Sequence, residues 1–135
     1  MKRKRPKKID IYEEQRRAYL MAYDHALIMQ ESFPSIAALS INMDFENPDW
    51  GGNPSPRQQH YNPKDKAFFE IQCPFRECVK GGFDLTGVVA KLVIDRLEET
   101  SGTFTCQGWQ DRERIGRHQC LLRIKYKITA VYKDI

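Results

Sequence analysis

The chain has 135 residues, with 22 Lys and Arg against 18 Asp and Glu, a formal net charge of +4 and 41% hydrophobic residues. That length leaves room for one core and the composition can fill it, which predicts a single domain and excludes a chain that is disordered throughout. The charge is uneven: residues 1–8, MKRKRPKK, carry six cations and no acid, so the other 16 cations face 18 acids.

The charged start is followed by the polar, acidic IDIYEEQRRAY rather than an apolar run, so no secretory signal is expected. The longest apolar stretches, such as residues 86–94, fall far short of the roughly 20 residues that span a bilayer. A cytoplasmic protein without a membrane segment is therefore expected. In a reducing compartment its four cysteines read as thiols or metal ligands before disulfides, although an even count permits bridges.

Asp10 and Glu13 have capping-box spacing, and Tyr12, Arg16, Tyr19, Leu20, Ala22, Tyr23, Ala26 and Leu27 form a mostly apolar, tyrosine-rich stripe. A helix over 11–31 follows, stopped by Phe33-Pro34. Leu39, Ile41, Met43 and Phe45 then alternate with polar residues, the pattern of a half-buried strand. Residues 46–66, with prolines, paired glycines and asparagines, read as a long loop carrying Trp50, His60 and Tyr61.

A second strand is predicted over 67–73, and a loop with two cysteines leads to Gly81-Gly82 and Asp84, the expected N-cap of a helix over 85–99. A third strand is predicted over 103–109. A reversal at QDRERIGRH leads to a fourth strand over 119–132, in which Cys120, Leu122, Ile124, Tyr126, Ile128, Ala130 and Tyr132 alternate with Arg123, Lys125, Lys127 and their neighbours.

The expected fold class is α+β in the order αββαββ. It is a small mixed sheet of about four strands with two helices, containing one βαβ crossover and a C-terminal β-hairpin, and stabilised by zinc. Residues 1–9 are expected to be a disordered basic tail and 10–135 a single domain, with the long loop at 46–66 and a four-cysteine site spanning 73–120.

With the second and third strands parallel and the fourth returning, Cys73, Cys78, Cys106 and Cys120 converge at one end of the sheet. Four thiolates suit Zn2+, and four protein ligands leave no open position for a substrate, so the site would be structural. The spacing, Cys-x4-Cys, 27 residues, Cys, 13 residues, Cys, is irregular for zinc knuckles. Buried core cysteines and disulfides stand as alternatives. His118, two residues before Cys120, is the first substitute ligand.

For catalysis the pattern is poor. His25, His60 and His118 fall on separate elements, and there is no Gly-rich phosphate loop or HExxH helix. Gly81-Gly82 reads as a tight turn and cap. Nucleic acid fits better. Lys2, Arg3, Lys4, Arg5, Lys7 and Lys8 would attract phosphate, and Arg112, Arg114, Arg117, Arg123, Lys125 and Lys127 make the final hairpin a second basic region, with Trp109 or Phe68 as stacking platforms. The alternative is a protein-interaction or adaptor domain, which could be a homodimer docked through the tyrosine stripe. An enzyme of unknown type ranks third, and no small-molecule substrate is identifiable.

Overall fold

The computed structural model describes residues 10–48, 52–75, 77–112 and 116–134. The tail cations Lys2, Arg3, Lys4, Arg5, Lys7 and Lys8, together with Trp50 and Arg114, lie outside the described residues. The fold is mixed α and β, centred on one four-stranded sheet.

The first helix, α1, runs Ile11–His25, and the Asp10 carboxylate accepts the Tyr12 and Glu13 amides, so the chain starts where the capping pattern puts it. It ends earlier than the stripe predicts. Ala26 is extended, Ile28 bridges Lys66, and a separate turn of helix, α2, covers Met29–Ser32. Lys66 Nζ caps the end of α1 by donating to the Asp24 and Ala26 carbonyls, and the Ala67 amide donates to Leu27. No Pro or Gly breaks the sequence there, so pairing with a segment some forty residues on overrides local helix propensity.

Strand β1, Ile36–Glu46, contains the predicted alternation and buries Leu39, Ile41, Met43 and Phe45. The segment 46–66 is not a continuous loop. Arg57–Tyr61 forms β2, antiparallel to β1 with Ile41 opposite Gln59. Its flanking prolines and polar side chains mask it in sequence.

The expected 67–73 strand shrinks to β3, Glu70–Ile71, paired only with β4, Phe83–Asp84, in a small ribbon. The next helix, α3, covers Thr86–Ile94; its N-cap is Leu85 rather than the expected Asp84, because Asp84 is paired in β4 and its carboxylate reaches only the Thr86 amide. Rather than continuing to residue 99, it stops where Arg96 adopts φ 52 and the Tyr132 hydroxyl donates to the Leu97 carbonyl at 2.6 Å. Released, the chain enters β5 at Glu99–Thr105, so the third strand begins and ends earlier than predicted. Trp109–Arg112 (β6) and Gly116–Gln119 (β7) make a separate ribbon, and Arg123–Tyr132 is β8.

The sheet order is β2-β1-β8-β5, and every pairing among the described residues is antiparallel. The mixed sheet with a parallel βαβ unit is thus corrected. The strand before α3 lies outside the sheet, and β5 joins it against β8 with Gly102 opposite Tyr126. One face of the sheet, with Ile124, Ile128 and Ala130 of β8, joins one core with Met29, Phe69, Phe83, Leu85, Val89 and Leu92. Each fully buried aliphatic or aromatic side chain there contributes about 1.5–3 kcal/mol. Among the described residues no helix is long and apolar enough to cross a membrane.

Candidate metal centre

All four cysteines lie just outside regular strands. Cys73 follows β3, Cys78 sits in the turn beyond it, Cys106 follows β5, and Cys120 separates β7 from β8. Backbone bonds fix these positions. Val79 and Trp109 exchange both amide bonds, at 2.8 and 3.0 Å, the Cys106 amide donates to Leu122, and the Cys120 amide donates to Gly108. The turn bearing Cys78 is thereby laced to the segment after Cys106.

The four sulfurs all lie within 4.8 Å of one another. Cys78 Sγ and Cys106 Sγ are 3.6 Å apart, and Cys73 Sγ and Cys120 Sγ 3.9 Å. These separations are close to the edge of about 3.8 Å of a tetrahedron of thiolates with a metal–sulfur bond of about 2.3 Å. They are far beyond the roughly 2.05 Å of a disulfide, and all four cysteines are free. The donor set therefore fits a metal site.

The surroundings also fit. Three of the four cysteines are buried and Cys73 is half-buried. Cys106 Sγ accepts the amides of Gly82 at 3.3 Å and Gly108 at 3.4 Å. Amides of Phe75 and Leu122 act in the same sense on Cys73 and Cys120, each two residues past its cysteine. Such donors favour thiolate over thiol.

The Cys106 thiol is held well below its ordinary value, first by the Cys73 thiol, then by the Cys78 thiol, with the two glycine amides adding to the effect. The resulting hydrogen bonds to Cys106 push Cys73 and Cys78 up, and burial is the largest cause raising Cys120. Without metal the cluster thus favours one thiolate hydrogen-bonded by neighbouring thiols. A metal ion would have to displace the remaining thiol protons, so its affinity would weaken as the pH is lowered.

Two residues that the sequence pattern did not mark as part of the site shape it. A Cβ on Gly81 would meet Cys78 Sγ and Cys106 Sγ, and one on Gly108 would meet Cys78 Sγ and the Gly81 backbone. The two glycines let the turns close over the sulfurs. In sequence the signal was a Gly two residues after Cys106 and a Gly pair after Cys78. Gln15 of α1 was also missed: its side chain donates to the Cys78 carbonyl at 2.8 Å and accepts the Lys80 amide at 3.1 Å. Those bonds tie the first helix to the cysteine turn.

Compared with models of protein families, with curated proteins and with solved structures, the chain matches none. The reading therefore rests on its own residues.

His118 is not among the clustered ligands. It lies in β7 opposite Gln110, with Nδ1 buried and unpartnered among the described residues. The predicted basic region divides. Arg112 and Arg117 are placed by their backbone, in the β6–β7 ribbon. Arg123, Lys125 and Lys127 are exposed on the outer sheet face, but Glu46 lies 3.7 Å from Arg123 and 2.6 Å from Lys125, and Glu99 lies 3.3 Å from Lys127. With Asp44 opposite Lys125, three acids accompany the three cations on that face. Phe68 packs edge-on against Tyr19 and Tyr23 of α1, and Trp109 pairs through its backbone with Val79.

Proposed function

We propose that this chain is a small non-enzymatic domain held at one end by a structural Zn2+ on Cys73, Cys78, Cys106 and Cys120, and that it binds nucleic acid through its basic N-terminal tail and the basic C-terminal hairpin. The observation that carries the metal reading is the set of four sulfurs within 4.8 Å. Four thiolates satisfy a tetrahedral ion completely, so the ion would pin turns and leave no position for a substrate.

Charge segregation supports the partner. Six cations in the first eight residues can neutralise phosphates without reading sequence. In sequence Arg112, Arg114 and Arg117 add a second group of cations. Arg123, Lys125 and Lys127 share the acids beside them, so the tail carries most of the electrostatic attraction.

Elemental analysis of purified protein tests the metal, with one zinc per chain expected. Substoichiometric zinc alongside four titratable free thiols would overturn it. For the partner, titration of mixed-sequence DNA and RNA at low and raised salt should show salt-dependent binding that weakens when residues 2–8 are deleted. No binding at low salt, or binding unchanged by the deletion, removes the nucleic-acid reading.

A specific observation favours the adaptor reading as second. No residue of α1 is buried, and Leu20 and Met21 stand more than half exposed. Tyr19 and Tyr23, however, turn toward the chain's own Phe68. Loss of binding to a protein partner on L20E/M21E substitution, with zinc retained, would support that reading.

A further inference from the structure

The four-stranded sheet ends in two unlike edges, β2 and β5. β2 is five residues long, carries Arg57 and His60, and is bounded by Pro56 and Pro63, the usual protections of an edge. β5 has fewer of these. Its seven residues, ETSGTFT, contain no proline and one charge.

The backbone of β5 shows which groups meet that edge. The Ala130 amide donates to the Glu98 carbonyl and the Cys106 amide to the Leu122 carbonyl, each at 2.8 Å. In an antiparallel ladder hydrogen-bonded residues recur every second position, so the even-numbered residues of β5 face β8. The N–H and C=O groups of Glu99, Ser101, Thr103 and Thr105 therefore point to the open side. Gln107 Nε2 donates to the Thr105 carbonyl at 3.2 Å and covers one end of this row.

We propose that the open edge of β5 is the interface of a homodimer, in which two β5 strands pair antiparallel about a two-fold axis through Gly102 and join two sheets into one of eight strands. The register follows from the geometry. Matching the two faces requires residues of like parity to stand opposite, and centring on Gly102 sets Ser101 against Thr103 of the second copy and Glu99 against Thr105. That choice pairs all four outward-facing residues, whereas a shift of two residues either way leaves one without a counterpart.

The side chains agree with a second copy as the occupant. Glu99 would lie beside Thr105 of the second copy, whose other neighbour across the sheet is Arg123, so opposite charges approach along that row. On the other face Phe104, 39% exposed over Tyr126, would stand opposite Thr100 of the second copy. Thr100 and Tyr126 line an open groove that the incoming ring can enter. The contact is self-complementary and closes at two copies.

Sedimentation equilibrium of the full metal-loaded chain across micromolar to millimolar concentration should show a monomer–dimer equilibrium. Thr103→Pro removes an outward N–H and leaves the β5–β8 bonds intact, so it should abolish the dimer with circular dichroism and zinc content retained. The pair S101E/T103K sets opposite charges across the two-fold and should preserve the dimer, while S101K/T103K sets like charges and should dissociate it. A monomer at every concentration, species beyond a dimer, or a dimer indifferent to Thr103→Pro overturns the proposal.

Discussion

The two ends of this molecule are held by different forces. In the sheet, β1 and β8 pair over ten positions, and the buried side chains alternate with wet ones, so hydrogen bonding and apolar burial reinforce each other residue by residue. Around the cysteines there is almost no regular structure. Two turns meet through four sulfurs, two glycines and a few backbone bonds. A sheet of this kind is stable by its own composition, whereas an end built of turns depends on what joins the sulfurs.

The sharpest way to break that comparison is to remove the proposed metal. Structural zinc contributes about 10–16 kcal/mol of apparent binding free energy in small zinc-dependent folds, so chelation or Cys106→Ser should produce the largest effect. Hydrogen exchange should show the turn at 72–82 opening while the β1–β8 amides stay protected. Uniform loss of protection, or none, would contradict two separately held ends. At the other end Ile128→Ala, at a fully buried position in mid-sheet, should cost about 2–5 kcal/mol in denaturant unfolding. Its zinc stoichiometry should not change.

Smaller substitutions sharpen the boundary. Gly108→Ala drives a methyl group toward Cys78 Sγ and should weaken metal affinity by about 10–100-fold in chelator competition, the range of supporting-shell changes. An unchanged affinity would mean that the turns can part without disturbing the sulfurs. Gln15→Ala removes two hydrogen bonds to the cysteine turn and should cost about 1 kcal/mol, read as faster proteolysis and exchange within α1. The smallest effect concerns Glu46, whose carboxyl is held below its usual value of 4.5, first by the hydrogen bond from Lys125. A depressed carboxylate stabilises the fold above its unfolded pKa and loses that contribution as pH falls through the folded value. Thermal melts of Glu46→Gln between pH 6 and pH 3, about the carboxylate range, should therefore show a slightly shallower acid dependence than the unsubstituted chain.

How far each part was legible follows from the range of its interactions. The capping of α1 and the alternation in β1 and β8 depend on neighbours a few residues apart, and these match the structure closely, whereas α3 starts one residue later than the expected Asp84 cap allows. Residues 57–61 and 67–73 depend on partners that sequence does not display. Arg57–Tyr61 becomes a strand because β1 presents an edge to it, and most of the second segment stays irregular because it packs Phe69 and Ile71 into the core while pairing only briefly with β4, outside the main sheet. The cysteine convergence was anticipated through a parallel βαβ unit that does not form. The sulfurs meet because the backbone pairing of Val79 with Trp109 brings the two turns together, a contact no spacing rule contains.

By itself the sequence determined the polarity of charge, the buried face of the longest strands and the chemistry of four thiols, because these are properties of residue type and short-range period. Tertiary structure alone decided that the β8 cations lie beside acids, that the sheet is antiparallel and that β5 stands at its edge among the described residues. Each of those depends on which distant strands become neighbours. A one-dimensional pattern shows which face a residue takes, but the residue across from it is fixed only when the chain has folded.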